Sequence, residues 1–260
     1  MDLTRKPTLI LWAGLFVLSS HVAQAQGTMG PGATKRMNIE EFLVLNGGIT
    51  AERLNQFMSA LAASPWHYDM DTGLLSFDEK HRYHAQIIGS YADEDSTWMW
   101  AWANRESNIP ASLLVAAERL RRQGETSDVE AFKAPLLKVP RARVPEIAMA
   151  AAGLVDAKAF YLGTSPGQLV VFLIDDAKVP PLPEPDAVHV INTFNALVSS
   201  FPINDHRRAY EAYLRARGFS VEMHEKQLIA KRPKTGTVVA EFDAQGRLAK
   251  AKTTVGPDAR

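Results

Sequence analysis

The 260-residue chain contains no cysteine, and this absence excludes several kinds of chemistry at once. Without thiols there are no disulfide bonds, no thiolate metal sites, no iron–sulfur clusters, no cysteine nucleophile and no lipid anchor on an N-terminal cysteine. An excess of charge is missing too, because 29 basic side chains balance 29 acidic ones. Proteins that bind nucleic acid usually carry a clear basic excess, so we expect no nucleic-acid partner.

The sequence also lacks a convincing catalytic or cofactor-binding motif. It has no phosphate-binding loop, no Gly-x-Gly-x-x-Gly motif and no His-Glu-x-x-His motif. Residues 163–167 (GTSPG) place Ser165 between two glycines, but the flanking β-prone residues predict a hairpin turn there rather than a nucleophile elbow. We therefore expect no cofactor.

One pair of acids, Asp69 and Asp71, is spaced as in a calcium-binding loop. Such a loop needs an oxygen ligand at its fifth position, glycine at its sixth and an acid at its twelfth. Here those positions hold Gly73, Leu74 and Lys80. The pattern predicts an aspartate-stabilised turn between two short strands, and no metal site.

The first 25 residues have the layout of a secretory signal peptide. Arg5 and Lys6 form a short basic start, residues 8–18 are apolar, and residues 23–25 (AQA) place small side chains where a signal peptidase needs them. The apolar run is shorter than the about 20 residues of a membrane-spanning helix. We expect cleavage after Ala25 and a periplasmic or secreted protein with no stable membrane insertion after cleavage.

Local patterns predict helices that lead into antiparallel strands in both halves of the chain. In the first predicted helix, Thr50 is the expected N-cap, and an apolar stripe follows at Leu54, Phe57, Met58 and Leu61. Helices followed by hairpins, rather than alternating strand–helix–strand units, favour an α+β fold with helices packed on one face of antiparallel sheets.

A proline-rich stretch divides the chain. Residues 179–185 (VPPLPEP) contain four prolines, which disfavour a helix or a central strand and favour an extended linker. This stretch is consistent with two subdomains joined by a linker. The predicted organisation is a signal peptide (1–25), a flexible lead-in (26–37), an α+β domain (38–178), the linker (179–185) and a C-terminal region of helices followed by β-hairpins (186–260).

The most distinctive segment is residues 96–104, which we call the tryptophan segment. It is predicted to be extended, and alternate residues of a strand point to the same side. Trp98, Trp100, Trp102 and Asn104 would then share one side. The indoles form either a part of the core, since each buried aromatic ring removes about 150–250 Å² from water, or a stacking platform for a flat ligand in a cleft.

This segment carries a resemblance to a known family. Residues 86–91 (QIIGSY), residues 97–104 (TWMWAWAN) and the preceding Trp66-x-Tyr68-Asp69 resemble a bacterial family catalogued only as a domain of unknown function. The resemblance extends over approximately residues 50–175. It implies a shared fold and no mechanism.

Three functional hypotheses remain open at this stage. The first is an exported, non-catalytic module that binds a small molecule, a glycan or a protein. The second is a cell-envelope hydrolase using carboxylates near the indoles, such as Asp69, Asp71, Asp78 or Glu79. The third is a purely structural or interaction role. For the binding hypothesis the predicted ligand-binding residues are Trp66, Asp69, Trp98, Trp100, Trp102 and Asn104.

Overall fold

A computed structural model describes residues 38–61 and 65–254 of the chain. The predicted signal peptide, its cleavage site and the predicted lead-in lie outside the described residues. The predicted α+β fold class is confirmed, because helices pack against two antiparallel sheets. Among the described residues, no helix is both long enough and apolar enough to cross a bilayer.

The described residues form six α-helices and eleven β-strands. The helices are α1 (Ile39–Ala60), α2 (Val115–Thr126), α3 (Glu130–Lys133), α4 (Val144–Leu154), α5 (Ala187–Ser200) and α6 (His206–Ala216). The strands are β1 (His67–Asp69), β2 (Leu74–Ser76), β3 (Arg82–Ala92), β4 (Thr97–Trp100), β5 (Leu136–Lys138), β6 (Ala159–Ser165), β7 (Gln168–Ile174), β8 (Ser220–Met223), β9 (Gln227–Arg232), β10 (Gly236–Phe242) and β11 (Leu248–Thr254).

Helix α1 begins about three turns earlier than the sequence predicts. Asn38 caps it, accepting a hydrogen bond from the Glu41 backbone N–H at 2.9 Å. The expected N-cap, Thr50, is buried inside the helix. The helix instead continues through Gly48, and this glycine lets α6 approach. A Cβ atom on Gly48 would lie 2.5 Å from the Cβ of Tyr213.

The larger sheet is arranged around β3. Its strands follow the order β1-β2-β3-β4-β5, while β7 pairs with the other edge of β3 and β6 pairs with β7. The β1–β2 hairpin is confirmed, with Gly73 in the left-handed conformation at φ 70°. The buried side chains of the sheet belong to two clusters. One contains residues of α1 and α4, and the other is an aromatic cluster that includes Phe172 and Phe57, near the end of α1.

The smaller sheet is a meander in the order β8-β9-β10-β11. In β9 the buried Leu228 and Ala230 alternate with the less buried Gln227, Ile229 and Lys231. The strand is short and half polar, so its period of two is weak in the sequence alone.

Residues on both sides of the proline-rich stretch belong to one hydrophobic core. Residues 180–186 have no regular secondary structure. The core cluster that contains Leu43 of α1 and Met149 of α4 also contains Phe194 of α5 and Tyr213 of α6. Helix α1 therefore packs against elements from before and after the linker.

Candidate functional site

The tryptophan segment is not extended throughout, which corrects the sequence prediction. Strand β4 ends at Trp100, and residues Ala101–Ala103 form a turn of 3-10 helix. The Trp100 N–H donates to the carbonyl of Pro135 at 3.2 Å. Proline has no N–H with which to continue the ladder, so the pairing with β5 ends there. Trp102 and Asn104 consequently leave the face that Trp98 and Trp100 share.

Trp98 and Trp100 lie wholly inside the core, with no exposed surface. Their rings meet edge to face, with centroids 5.2 Å apart. The Trp100 Nε1–H donates to the Ala131 carbonyl at 2.9 Å, whereas the Trp98 Nε1–H has no hydrogen-bond partner among the described residues. In this conformation neither indole is accessible to a ligand, so the two rings act as packing.

Trp102 and Asn104 have separate local roles. The Trp102 ring is partly buried, and the guanidinium carbon of Arg121 on α2 lies 5.3 Å from the ring centroid, a cation–π contact. The Asn104 Oδ1 accepts the Ser107 N–H at 3.1 Å and closes a turn. Trp102 thus packs against Arg121 of α2, and Asn104 stabilises the loop that leads to that helix.

Trp66 and Asp69 lie on the other side of the sheet. Trp66 is buried against Phe172, with ring centroids 5.5 Å apart. Asp69 Oδ1 accepts the backbone N–H groups of Asp71 at 2.8 Å and Thr72 at 3.3 Å, which is the predicted aspartate-stabilised turn. The six predicted ligand-binding residues are therefore divided between core, loop and turn, and the fold does not bring them to one cleft.

The other sequence candidates for catalysis also occupy structural positions. Asp78 accepts the Lys80 and His81 N–H groups, and its side-chain hydrogen bond with the His81 ring lowers the pKa of Asp78 to about 2. Such a carboxyl stays charged at neutral pH and is unsuited to donate a proton. Ser165 ends β6, and Pro166-Gly167 turns directly into β7, so the predicted hairpin is confirmed.

A cleft of about 410 Å³ lies between helix α2 and the part of the larger sheet formed by residues 84–86 of β3 and Leu173 of β7. This volume lies within the range of about 300–1,000 Å³ typical of small-molecule sites. Strands β3 and β7 form its floor, the start of α2 forms one side, and the chain after α4 forms the other. The lining residues are Gly73, His84, Ala85, Gln86, Ser112, Leu113, Val115, Ala116, Arg119, Val155, Ala157, Leu173 and Asp175.

Two side chains hold the sides of the cleft in place. Leu114, at the N-cap of α2, has no side-chain oxygen, and the Gln86 Oε1 on β3 instead accepts the Ala116 N–H at 2.7 Å. On the opposite side, the Arg119 guanidinium donates to the Val155 carbonyl at the end of α4, at 3.2 Å. Sheet, α2 and α4 are thereby fixed to one another around the opening.

Polar groups and apolar side chains both face the cleft. Arg119 and His84 are exposed in it. Asp175 stands at the end of β7, where its carboxylate is 3.7 Å from the Lys158 Nζ. Next to it, burial tends to raise the pKa of Asp176, but hydrogen bonds from the His84 and Lys178 N–H groups outweigh burial and lower that pKa.

Sequence reasoning missed this cleft almost entirely. Of the lining residues, Gln86 was named only as a part of the family-like motif. One signal was present, because Gln86 is a polar residue between the apolar Ala85 and Ile87 of β3. Among the described residues, no group of three or more metal-binding side chains is brought together.

A family model of unknown function, DUF6882, matches residues 42–177, which is more than half of the chain. The chain belongs to this family. The expected resemblance to a domain of unknown function is confirmed at this level. No curated protein and no solved structure matches the chain. The DUF6882 region contains the tryptophan segment and every residue that lines the cleft.

A second polar cluster joins the DUF6882 region to the C-terminal helices. Glu52 on α1 is buried, and its carboxylate accepts the Tyr213 hydroxyl at 2.9 Å and contacts the His189 Nε2 at 2.9 Å. The Arg217 Nε lies 3.0 Å from the same carboxylate. Burial, and then the charge of Glu52, raise the pKa of Tyr213, so its hydroxyl remains a donor. This cluster fixes α5 and α6 on α1.

Proposed function

We propose that this protein is an exported, non-catalytic binding module that holds a small molecule in the cleft between β3 and α2. The observation that carries the proposal is that the cleft is held open by fixed contacts. Gln86 ties the sheet to α2, and Arg119 ties α2 to the end of α4. A site whose walls are already in place loses little conformational entropy when a ligand binds.

The tryptophan segment supports this function indirectly. Trp98 and Trp100 fill the core behind the sheet, and Trp102 lies beneath Arg121 of α2. Rigid elements hold binding groups more accurately than loops do. The indoles thus stabilise the helix that forms one side of the cleft.

A binding role also fits the lining chemistry better than hydrolysis does. The carboxylates considered for catalysis, Asp69 and Asp78, accept backbone N–H groups within their own turns. In the cleft, Asp175 is the one acid among the lining residues, and Lys158 lies beside it. A glycosidase needs two facing carboxyl groups.

Export is part of the proposal and rests on the N-terminal sequence. The basic start, the apolar run of residues 8–18 and the small residues before Gln26 are the features of a cleaved signal. N-terminal sequencing of the protein recovered from a periplasmic or culture-medium fraction tests it. We expect Gln26 to be the first residue.

The binding proposal is tested by native purification followed by mass spectrometry of the small molecules that remain bound. Val115 lines the rim of the cleft and is 55% exposed, while Val188 on α5 is 54% exposed and lies elsewhere. Val115→Trp places a bulky ring at the opening, and Val188→Trp is its matched control. We expect wild type and Val188→Trp to retain the same molecule and Val115→Trp to lose it. Equal retention by all three proteins contradicts the proposal.

A further inference from the structure

We infer that the ligand of this cleft is a small organic anion, with a carboxylate or phosphate group bound by Arg119 and a short hydrocarbon part bound beside it. This inference rests on the proposed binding function and adds the chemical class of the ligand. It follows from the charges, the donor geometry and the apolar lining of the cleft.

The charges of the cleft favour a negative ligand. Among the lining residues the formal charges at neutral pH are those of Arg119 and Asp175. Lys158 lies 3.7 Å from the Asp175 carboxylate and offsets its charge at the rim. Arg119 is therefore the cationic side chain that the lining offers to an anion, and a charge in a cleft is screened less than on an open surface.

The geometry of Arg119 suits a planar or tetrahedral anion. One of its terminal nitrogens donates to the Val155 carbonyl at 3.2 Å, which anchors the guanidinium at the side of the cleft. A guanidinium has five N–H donors arranged as a fork, and two parallel donors match the two oxygens of a carboxylate or phosphate. The anchoring bond reduces the side-chain entropy that would be lost on binding.

His84 supplies a second polar contact. Its side chain is exposed in the cleft on the same face of β3 as Gln86, because the two residues are two apart in the strand. The His84 backbone N–H donates to Asp176 at 2.9 Å, which fixes the strand at this position. Because His84 and Arg119 line the same cleft, we expect the imidazole N–H to donate to a further oxygen of the anion.

The remaining surface of the cleft selects a short hydrocarbon part. Leu113, Val115 and Leu173 line it, and Val115 is 55% exposed. Binding of a hydrocarbon group over this exposed side chain is favourable, because it removes apolar surface from water. A volume of about 410 Å³ accommodates a small molecule and excludes a folded partner.

The inference is tested by calorimetric titration with pairs of probes that differ only in charge. The probes are hexanoate against hexanamide and benzoate against benzamide, with inorganic phosphate as a separate arm that distinguishes phosphate from carboxylate recognition. We expect each carboxylate to bind at least about tenfold more tightly than its amide, because a charge-assisted hydrogen bond is stronger than a neutral one.

Three variants assign the binding to Arg119. Arg119→Gln is expected to remove the preference for the anion, and Arg119→Lys to restore part of it. Arg122→Gln is the matched control, because Arg122 is exposed on the same helix and does not line the cleft. Circular dichroism establishes that each variant is folded before titration.

The outcomes separate this inference from the binding function itself. Equal binding of amides and carboxylates, a preference that persists in Arg119→Gln, or no binding of any anion at millimolar concentration overturns the anionic class. In the native purification, the wild type could instead retain a neutral molecule that Val115→Trp loses. That result supports the binding function and contradicts only the inference that the ligand is an anion. If Val115→Trp retains its ligand, the binding function fails independently of these titrations.

Discussion

The indole of Trp98 lies directly over Gly89 on the neighbouring strand. A Cβ atom on Gly89 would be 2.3 Å from Cζ2 of that ring and 2.6 Å from the Met99 carbonyl oxygen. No side chain fits in this space. Gly89 of the Ile-Gly-Ser-Tyr sequence therefore packs directly against Trp98, the first indole of the tryptophan segment.

Gly89→Ala is expected to destabilise the protein by about 1–3 kcal/mol, because the added methyl group must displace a fully buried ring. Urea unfolding monitored by tryptophan fluorescence measures this loss. Gly47→Ala is the matched control. Its new Cβ would be 3.6 Å from Leu197, an ordinary contact, and alanine favours the helix by up to about 1 kcal/mol. A neutral Gly89→Ala would show that the Trp98 ring does not occupy this place.

The two buried indoles are expected to respond differently to replacement by phenylalanine. Trp100→Phe removes the hydrogen bond to the Ala131 carbonyl, whereas Trp98→Phe removes an N–H with no partner among the described residues. Each change also removes ring volume from the core. We expect Trp100→Phe to lower the free energy of unfolding by about 1 kcal/mol more than Trp98→Phe. The reverse order would contradict the assigned hydrogen bond.

The buried carboxylate of Glu52 is expected to be a major contributor to stability. Glu52→Gln leaves the Arg217 guanidinium, whose side chain is only 10% exposed, without its counterion. Removing one partner of a buried ion pair costs about 3–5 kcal/mol. Glu222→Gln is the control, since its pair with Lys231 is more than half exposed and contributes at most about 1 kcal/mol. Chemical unfolding measures the free energy of unfolding of both variants. Equal losses of stability would contradict the role assigned to Glu52.

The sequence predicted those parts of the fold that local chemistry determines. The Asp71-Thr72-Gly73 turn and the Pro166-Gly167 hairpin are both present as predicted. Tertiary contacts decided the rest. Gly48 continues α1 because α6 packs against it, and the partner strand of β4 ends at Pro135. Neither contact can be predicted from the pattern of apolar residues in the local sequence.

The candidate site was the least predictable feature. Its sides come from segments that are distant in sequence, since Gln86 meets Ala116 and Arg119 meets Val155. No single stretch carries a recognisable motif. The tryptophans attracted attention because aromatic residues are common both in binding sites and in cores. Burial decides between these roles for Trp98 and Trp100, and burial is a property of the whole fold.

Stability is expected to fall on mild acidification because of His206. Its Nδ1 accepts the Leu248 N–H at 3.1 Å, which requires the unprotonated nitrogen, and burial lowers the pKa of His206 below 6.5. The unfolded chain therefore binds this proton more readily than the folded protein does. The contribution is complete above about pH 6.5 and is lost as the pH falls through the lower folded-state value.

Thermal unfolding between pH 8 and pH 5 measures this effect, and His206→Gln is the control. A glutamine oxygen can still accept the Leu248 N–H but does not titrate in this range. We expect the wild type to lose more stability than the variant over the interval. Parallel curves would assign the acid sensitivity to other groups.

The central claim is that ligands enter the cleft and do not reach the tryptophan segment. The most direct measurement is a map of backbone amide shifts in the ¹⁵N-labelled protein when the molecule retained in native purification is added back. We predict that the largest shifts cluster at Gln86, Ala116 and Ala157, which line the cleft. Largest shifts at Met99, on the strand that carries Trp98 and Trp100, and at its pairing partner Leu136 on β5 would contradict the account.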